Sequence, residues 1–572
     1  MQVSNLIEIK NLYFNYPSQE NYQLEEINLT IEDGEFVAIV GNNGTGKSTL
    51  CKLLNGVIPH FIDGDVSGSL KINGVETVDS TVSDLAHTIG YVYQDFENQL
   101  IRPKVLDDAA FSCLNNGLED YVERGMEALE LTGLEEQSDE YIWQLSGGQK
   151  HLLALAGMTA LRPDILILDE PIAQLDPYHA LKTYDVLKRF NKELGKTIVV
   201  IEHHTDFIGK YCDSVIFMKD NRIQWKLPVK EALVRVEELM EGSIFPPQIT
   251  QAAHQLAQIS ERNALTLPIN HDQGKDYFKE YALQTVEKTM PSVRSKQDDA
   301  MIYLKDVSLS YDMIKGDKKP IFDSLNLTIN KGERVALIGN NGAGKSTLLK
   351  LLTGLIKPDS GEIELDGKDI IRLKPEQISD TISYVYQNPE NMFIDDSIKR
   401  DIAFSMKARN IKDYKERTEA LLRQFDLVEL AERDGRLLSG GQMRRASLAI
   451  GVALNPQIML LDEPTANLDI ATRKSITKTL DDLKDSLETT IIATHDMQLV
   501  AEWANRIVVL HEGKVIGNGT REEIFHDETL LQLAGIDPPE IFKLAKSMNS
   551  DASIYTVDQF VDQLQKKEGV LS

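Results

Sequence analysis

"GNNGTGKST" occupies residues 41–49 and "GNNGAGKST" residues 339–347, so eight of nine letters recur almost three hundred residues later in one chain. Each copy contains GxxxxGK[ST]. Glycines at Gly41, Gly44 and Gly46, and at Gly339, Gly342 and Gly344, let the backbone curl until its N–H groups point inward at a phosphate chain. Asn42, Asn43 and Thr45 complete the first curl, and Asn340, Asn341 and Ala343 the second. The helix that follows adds its positive N-terminal end. Lys47 and Lys345 are placed to reach the β- and γ-phosphates. Ser48 and Ser346 are placed to hold Mg²⁺, with Thr49 and Thr347 next to them. One such loop can be an ordinary tight turn. Two, each after an apolar strand and before a helix, make that reading negligible.

The repetition extends well beyond the loops. "LIEIKNLYFNYP" at 6–17 matches "MIYLKDVSLSYD" at 301–312, and "IGYVYQDFENQ" at 89–99 matches "ISYVYQNPENM" at 382–392. "LSGGQ" at 145–149 recurs at 438–442, and "ILILDEPIAQLD" at 165–176 pairs with "IMLLDEPTANLD" at 458–469. Gly41 and Gly339 stand 298 positions apart and Gln94 and Gln387 stand 293 apart, which places five extra residues in the first copy, near "PHFIDG" at 59–64. The chain is a tandem duplication of one domain type. "EFVAIV" and "RVALIG" are short β-branched runs ending in glycine, followed by "KSTLCKLLNG" and "KSTLLKLLTG" with leucines at helical spacing. "DILILD", "TIVVIEH", "QIMLLD" and "TIIATH" read as parallel strands buried on both faces. Polar chemistry gathers at their C-terminal ends, where open α/β sheets bind ligands.

The bulk numbers agree with two domains. The chain has 572 residues, beyond what one core usually organises, with 42% hydrophobic and 26% charged residues. Lys and Arg total 61 against 89 Asp and Glu, and the net charge of -28 argues against a nucleic-acid partner. Cys51, Cys113 and Cys212 share no close spacing, so plain thiols are expected rather than a disulfide framework or a zinc cluster. No apolar run approaches the ~18 residues of a spanning helix, and no leader pattern opens the chain.

Each apolar strand "ILIL" and "IMLL" ends in Asp-Glu. Asp169 and Asp462 are placed to hold the Mg²⁺ shell, and Glu170 and Glu463 to polarise the attacking water. His203 and His495 follow the next strands, 34 and 33 residues after the aspartates, where they can contact the γ-phosphate and orient water. Within "EHH" the choice falls on His203, because His204 aligns with Asp496.

"LSGGQ" some twenty residues before an "LDEP" strand resembles the signature of ATP-binding cassette (ABC) ATPases, and the resemblance covers nearly the whole chain. It implies an α/β fold of two tandem P-loop domains, each a mixed β-sheet core with a helical signature subdomain, using ATP and Mg²⁺. It further implies that Tyr16 and Tyr311 stack on adenine, that Gln94 and Gln387 touch Mg²⁺ and the attacking water, and that Asp176 and Asp469 are the D-loop aspartates. In this family two cassettes face head to tail. Ser439, Gly440, Gly441 and Gln442 then close over the nucleotide on Lys47, and Ser146, Gly147, Gly148 and Gln149 over that on Lys345. An intramolecular cassette dimer would complete both sites. Ile172 against Thr465 and Gln174 against Asn467 are the mild departures between the copies.

A second repeat narrows the resemblance. "FPPQITQAAHQLA" at 245–257 mirrors "DPPEIFKLAKSM" at 537–548, each after its cassette, and is similar to the helical extension of energy-coupling factor (ECF) transporter ATPases. "YQNPENMF", "YQDFENQL" and "NGVIPHF" also resemble that group. The resemblance implies an ATPase that powers import of a vitamin, vitamin precursor or metal ion at the cytoplasmic face of the plasma membrane, with an integral membrane scaffold and a membrane substrate-binding subunit as partners. A soluble twin cassette acting on translation or regulation, and the ATPase of an exporter, are the alternatives. The expected boundaries are 1–230 for the first ABC domain, 231–260 for its extension, 261–299 for a linker, 300–525 for the second ABC domain and 526–572 for a C-terminal extension.

Overall fold

The computed structural model describes residues 5–17, 21–173, 175–260, 267–283, 300–312, 318–466, 468, 470–483 and 487–566. The chain divides into two compact units, Met1–Gln284 with Leu544–Ser572, and Thr285–Lys543.

In the first unit the strand Phe36–Val40 is buried along its whole length, as a strand in a sheet covered on both faces must be. Its sheet runs Arg222–Pro228, Ser214–Lys219, Phe36–Val40, Thr197–Ile201, Ile165–Asp169, Ile89–Val92. The last five are parallel and the first is an antiparallel edge. The two-residue strand period sorts its side chains between two cores. Phe36, Ala38 and Val40 pack with Leu152, Leu155 and Tyr184, from the helices Gly147–Thr159 and Pro177–Lys192. Val37 and Ile39 pack on the other side with Leu50 and Leu54 of the helix Lys47–Leu54 and with Ile7 and Leu29 of an antiparallel sheet. Full burial of each such large side chain contributes roughly 1.5–3 kcal/mol, so the loop after Val40 leaves a rigid platform.

The second unit repeats this order from the other edge: Ile382–Val385, Ile458–Asp462, Thr489–Ala493, Arg334–Ile338, Arg506–His511, Lys514–Gly519. Its strand Arg334–Ile338 again lies between two parallel neighbours. The expected two-domain α/β architecture, a mixed sheet plus a helical layer carrying each LSGGQ, is what the chain adopts. The helical layer comprises Tyr121–Thr132 and Gly147–Thr159 in one copy and Tyr414–Gln424 and Gly440–Val452 in the other.

Two boundaries differ from expectation. The interval 261–299 is not linker throughout: Asn270 caps a helix His271–Phe278, and a strand Tyr281–Leu283 follows. Phe278 is fully buried. The apolar residues there are too sparse to show a period, and their partners lie far downstream. Those partners are in the tail, because 526–572 does not stay together as one extension and Leu544–Ser572 belongs to the first unit. The strand Leu564–Lys566 pairs antiparallel with Tyr281–Leu283, and the Phe278 and Phe560 rings meet edge to face at 5.1 Å. Gln255 in the helix Gln248–Ser260 donates to Asp558 at 3.1 Å.

Two candidate nucleotide sites

Each glycine loop is forced by its surroundings. At Gly41, φ is 154° and a Cβ would stand 2.3 Å from the Met218 carbonyl oxygen. At Gly339, φ is 147° and the corresponding distance, to the Leu510 carbonyl oxygen, is 2.1 Å. No side chain fits between this turn and the neighbouring strand. Lys47 Nζ folds back to donate to the carbonyls of Gly41 at 2.7 Å and Asn42 at 2.9 Å. Lys345 does the same to Gly339 at 2.7 Å and Asn340 at 3.2 Å. The helices that follow have no side-chain cap and no acidic residue in the first turn, so their positive ends face the loop. Thr45 Oγ1 donates to Asn42 O, and the Gln23 amide donates to Gly44 O, which fixes the remaining curl. Tyr16 lies beside the loop with its hydroxyl 3.1 Å from Thr49 Oγ1 and its ring against Phe14. The Tyr311 hydroxyl is 3.4 Å from Thr347 Oγ1.

The strands Ile165–Asp169 and Ile458–Asp462 deliver the carboxylates to the same end of the sheet. Ser346 Oγ donates to Asp462 at 3.0 Å, and the Tyr384 hydroxyl donates to its other oxygen at 2.9 Å. In the first unit Ser48 bonds Asp169, and the Tyr91 hydroxyl lies 3.5 Å away. Burial pushes both aspartates above the usual carboxylate range, Asp169 and Asp462 alike. A divalent cation offsets that penalty, and a serine hydroxyl with a buried carboxylate is an oxygen donor set that suits Mg²⁺. Lysine, uncapped helix end, serine and aspartate together fit ATP with Mg²⁺.

Glu170 and Glu463 have φ of 50° and 46°, a left-handed turn that lifts each carboxylate out of its strand. Glu170 accepts from the Gln94 amide at 2.8 Å, and His203 Nε2 is 3.1 Å from its other oxygen. Glu463 is held differently: Thr494 Oγ1 donates at 3.1 Å, His495 N at 3.3 Å, and His495 Nδ1 lies 2.9 Å away. Burial would raise the Glu463 carboxyl, but the charge and hydrogen bond of His495 outweigh it and its pKa is lowered. Burial would likewise lower His495, and the Glu463 carboxylate turns that into a rise.

Both signatures begin with a capping box. Ser146 accepts from Gln149 N while Gln149 Oε1 accepts from Ser146 N, and Ser439 and Gln442 repeat the pattern. The helices then start on Gly147 and Gly440, which leaves their N–H groups exposed at the tip. A Cβ at Gly148 would strike the His179 ring at 2.1 Å, and one at Gly441 would stand 2.6 Å from Thr472. Asp176 caps the helix Pro177–Lys192 and also holds the His179 ring at 2.8 Å. Asp469 lies outside the described residues, as do Gln174 and Asn467.

Several residues of these sites escape a reading by motif. Asp108 accepts from the N–H groups of Ile101 and Arg102, both at 2.7 Å, and Asp401 from those of Ile394 and Asp395, both at 2.8 Å. Each buried carboxylate thereby pins the segment that leaves its glutamine. The signal was present in the repeat, as the aspartate shared by "LDDAAF" and "KRDIAF". Other residues behind the glutamates differ between copies. Thr465 Oγ1 donates to Asp496, whereas Ile172 is buried and His204 turns to Glu202 at 2.8 Å. Glu202 also accepts from Tyr184 Oη and from the N–H groups of His203 and His204.

A glycine loop with its lysine, a serine–aspartate pair and a glutamate–histidine pair gathered at one end of each sheet have the arrangement of a P-loop nucleotide hydrolase, present twice. The profile of the ABC transporter family matches residues 24–173 and 322–466. A protein of Caldanaerobacter subterraneus named as an ABC transporter ATP-binding protein is 33% identical over 95% of this chain and 96% of its own length. One of Methanosarcina acetivorans, named likewise, is 31% identical over 98% of this chain and 91% of its own. A solved structure of cbiO1 from Clostridium perfringens, part of the ABC transporter complex cbiONQ, is 30% identical, covering 43% of this chain and 99% of that one, with a TM-score of 0.37. The chain belongs to the ABC transporter ATP-binding family: it is an ABC ATPase with two cassettes that hydrolyses ATP with Mg²⁺.

Proposed function

We propose that this ATPase powers an ECF-type importer of a vitamin, a vitamin precursor or a metal ion, as a peripheral subunit at the cytoplasmic face of the membrane. The observation that carries the reading is the Pro-Pro segment after each cassette, which leads into the helices Gln248–Ser260 and Glu540–Met548. Among the described residues no helix is long and apolar enough to cross a membrane, so in this reading contact comes through an integral scaffold and its substrate-binding subunit. Exposed apolar side chains around the glutamine loops, Tyr93 and Ile101 in one copy and Ile394 in the other, offer that scaffold a surface.

In this mechanism the loop N–H groups and Lys47 or Lys345 bind the phosphates. Ser48 with Asp169, and Ser346 with Asp462, would hold Mg²⁺, which would neutralise charge on the phosphates. Glu170 and Glu463 accept the proton of the attacking water, His203 and His495 keep those carboxylates oriented, and Gln94 and Gln387 place the water. Tyr16 and Tyr311 stack on adenine. The signature of each cassette, Ser146–Gln149 or Ser439–Gln442, closes over the nucleotide of the other, so that binding shuts the pair and hydrolysis reopens it.

Affinity purification from the native cell with mass spectrometry tests the function. A small polytopic membrane protein is expected to dominate the eluate. Ribosomal proteins in its place would overturn the importer reading in favour of a soluble twin cassette.

A further inference from the structure

The two cassettes share every motif, yet they join the signature helix to the glutamine loop by different means. In the second, Arg444 is buried at 2% exposure on the helix Gly440–Val452, five residues after Ser439. Its guanidinium donates to the carbonyls of Tyr386 at 2.9 Å and Gln387 at 2.7 Å, and its third contact is the carbonyl of Glu463 at 3.4 Å. Burial lowers its pKa to about 10, which leaves it charged at neutral pH. One rigid fork thus joins signature helix, glutamine loop and the left-handed turn at Glu463.

The corresponding residue of the first cassette is His151, and it makes none of these bonds. Its ring packs edge-on against Phe96 at 4.9 Å, Nδ1 faces Thr183 at 3.5 Å and the buried Nε2 has no partner. There the signature helix reaches the loop at the surface instead: Lys150 Nζ donates to Glu97 at 2.8 Å, in the short helical turn just after Gln94. Lys150 and Glu97 are 24% and 54% exposed, so salt screens their attraction. The second cassette has Met443 where the first has Lys150, so it cannot use the same pair.

We propose that Arg444 and Lys150 are positioning residues that set the two glutamine loops against their signature helices, one by a buried, salt-insensitive fork and the other by an exposed, screened ion pair, making the two ATP sites unequal. The inference rests on the roles given above to Gln387 and Glu463. In the second cassette the loop cannot shift without carrying Glu463 and the signature helix with it. In the first, where Gln94 itself holds Glu170, ionic strength loosens the link between loop and helix.

Steady-state ATP hydrolysis by the full chain tests this, using R444H, R444K, K150M and, as control, E463Q. R444H is expected to lower kcat about tenfold with KM for ATP within about twofold, because an interaction that orients the reacting groups is lost rather than one that binds nucleotide. R444K, which keeps the charge without the fork, is expected between R444H and the parent. K150M is expected to lower kcat about threefold, the scale of an exposed pair. Raising salt from about 0.05 M to about 0.5 M should depress R444H, which then depends on the ion pair, more than K150M, which depends on the fork. Loss of turnover in E463Q with R444H within twofold of the parent overturns the proposal, and so do equal salt responses of R444H and K150M. E463Q at the parent rate would instead overturn the role of Glu463 itself. If R444H does not fold, the surface change K150M decides, and K150M turnover equal to the parent's at about 0.05 M salt overturns the proposal.

Discussion

His203 Nε2 lies 3.1 Å from Glu170 Oε1, which makes histidine and glutamate one unit at the end of two adjacent strands. His495 repeats the pairing on Glu463 through its other ring nitrogen. Each histidine therefore holds a carboxylate in place, and on the function proposed above the carboxylate is left to take the proton. Replacing both Glu170 and Glu463 by Gln keeps size and hydrogen bonding but removes the base. Turnover is expected to fall by about 100-fold or more. Fluorescent ATP binding should persist. Phosphate release at the parent rate from the double variant would show that these residues do not polarise the water.

A second prediction concerns the tyrosine two residues before each glutamine's neighbour, the first Tyr of "YVYQ". The Tyr384 hydroxyl donates to the buried Asp462 at 2.9 Å, whereas Tyr91 is 3.5 Å from Asp169. Tyr384→Phe is expected to weaken the Mg²⁺ dependence of turnover about tenfold, the worth of one hydrogen bond to a charged group, and Tyr91→Phe much less. Mg²⁺ titrations of ATP hydrolysis measure both. A larger effect of Tyr91→Phe would reverse the assignment.

How far these sites can be read from sequence follows from how local each contact is. The glycine loops were legible because Gly41 and Gly339 answer a local steric demand and Lys47 folds back within six residues of Gly41. That Asp169, Glu170 and His203 lie together was legible because parallel strands end together. Arg444 was not, since in "GGQMRRASL" it reads as one more basic residue on a helix, and its carbonyl partners are backbone atoms of a loop some 57 residues earlier. The fold of 267–283 was also hidden, because Phe278 packs on Phe560 from the far end of the chain.

His151 gives a pH prediction. Burial lowers its pKa from 6.5 to about 4, so it is neutral in the fold while the unfolded chain takes up a proton near 6.5. A lowered histidine contributes stability that is present above the unfolded value and is lost as pH falls from 6.5 towards 4. Between about pH 7 and about pH 5 the loss amounts to about 2 kcal/mol in the first unit. His151→Leu should flatten that slope, as read by urea unfolding at several pH values. An unchanged acid slope would mean that His151 does not titrate as its burial requires.

The tail gives the last prediction. Phe560 is fully buried against Phe278, and the helix Val557–Asp562 lies on the helix Gln248–Ser260 within the first unit. Phe560→Ala opens a cavity and is expected to cost about 3–5 kcal/mol locally. In a chain of two compact units a single global midpoint is not a well-defined gauge of local stability, and hydrogen exchange is the better one. Faster exchange is expected in 248–283 and 555–566, with the strands around the glycine loops protected as before. Phe278→Ala should produce the same pattern, and the two changes together should cost less than their sum, since each already removes the ring contact. Protection in 248–283 that survives Phe560→Ala would show that this segment folds without the tail.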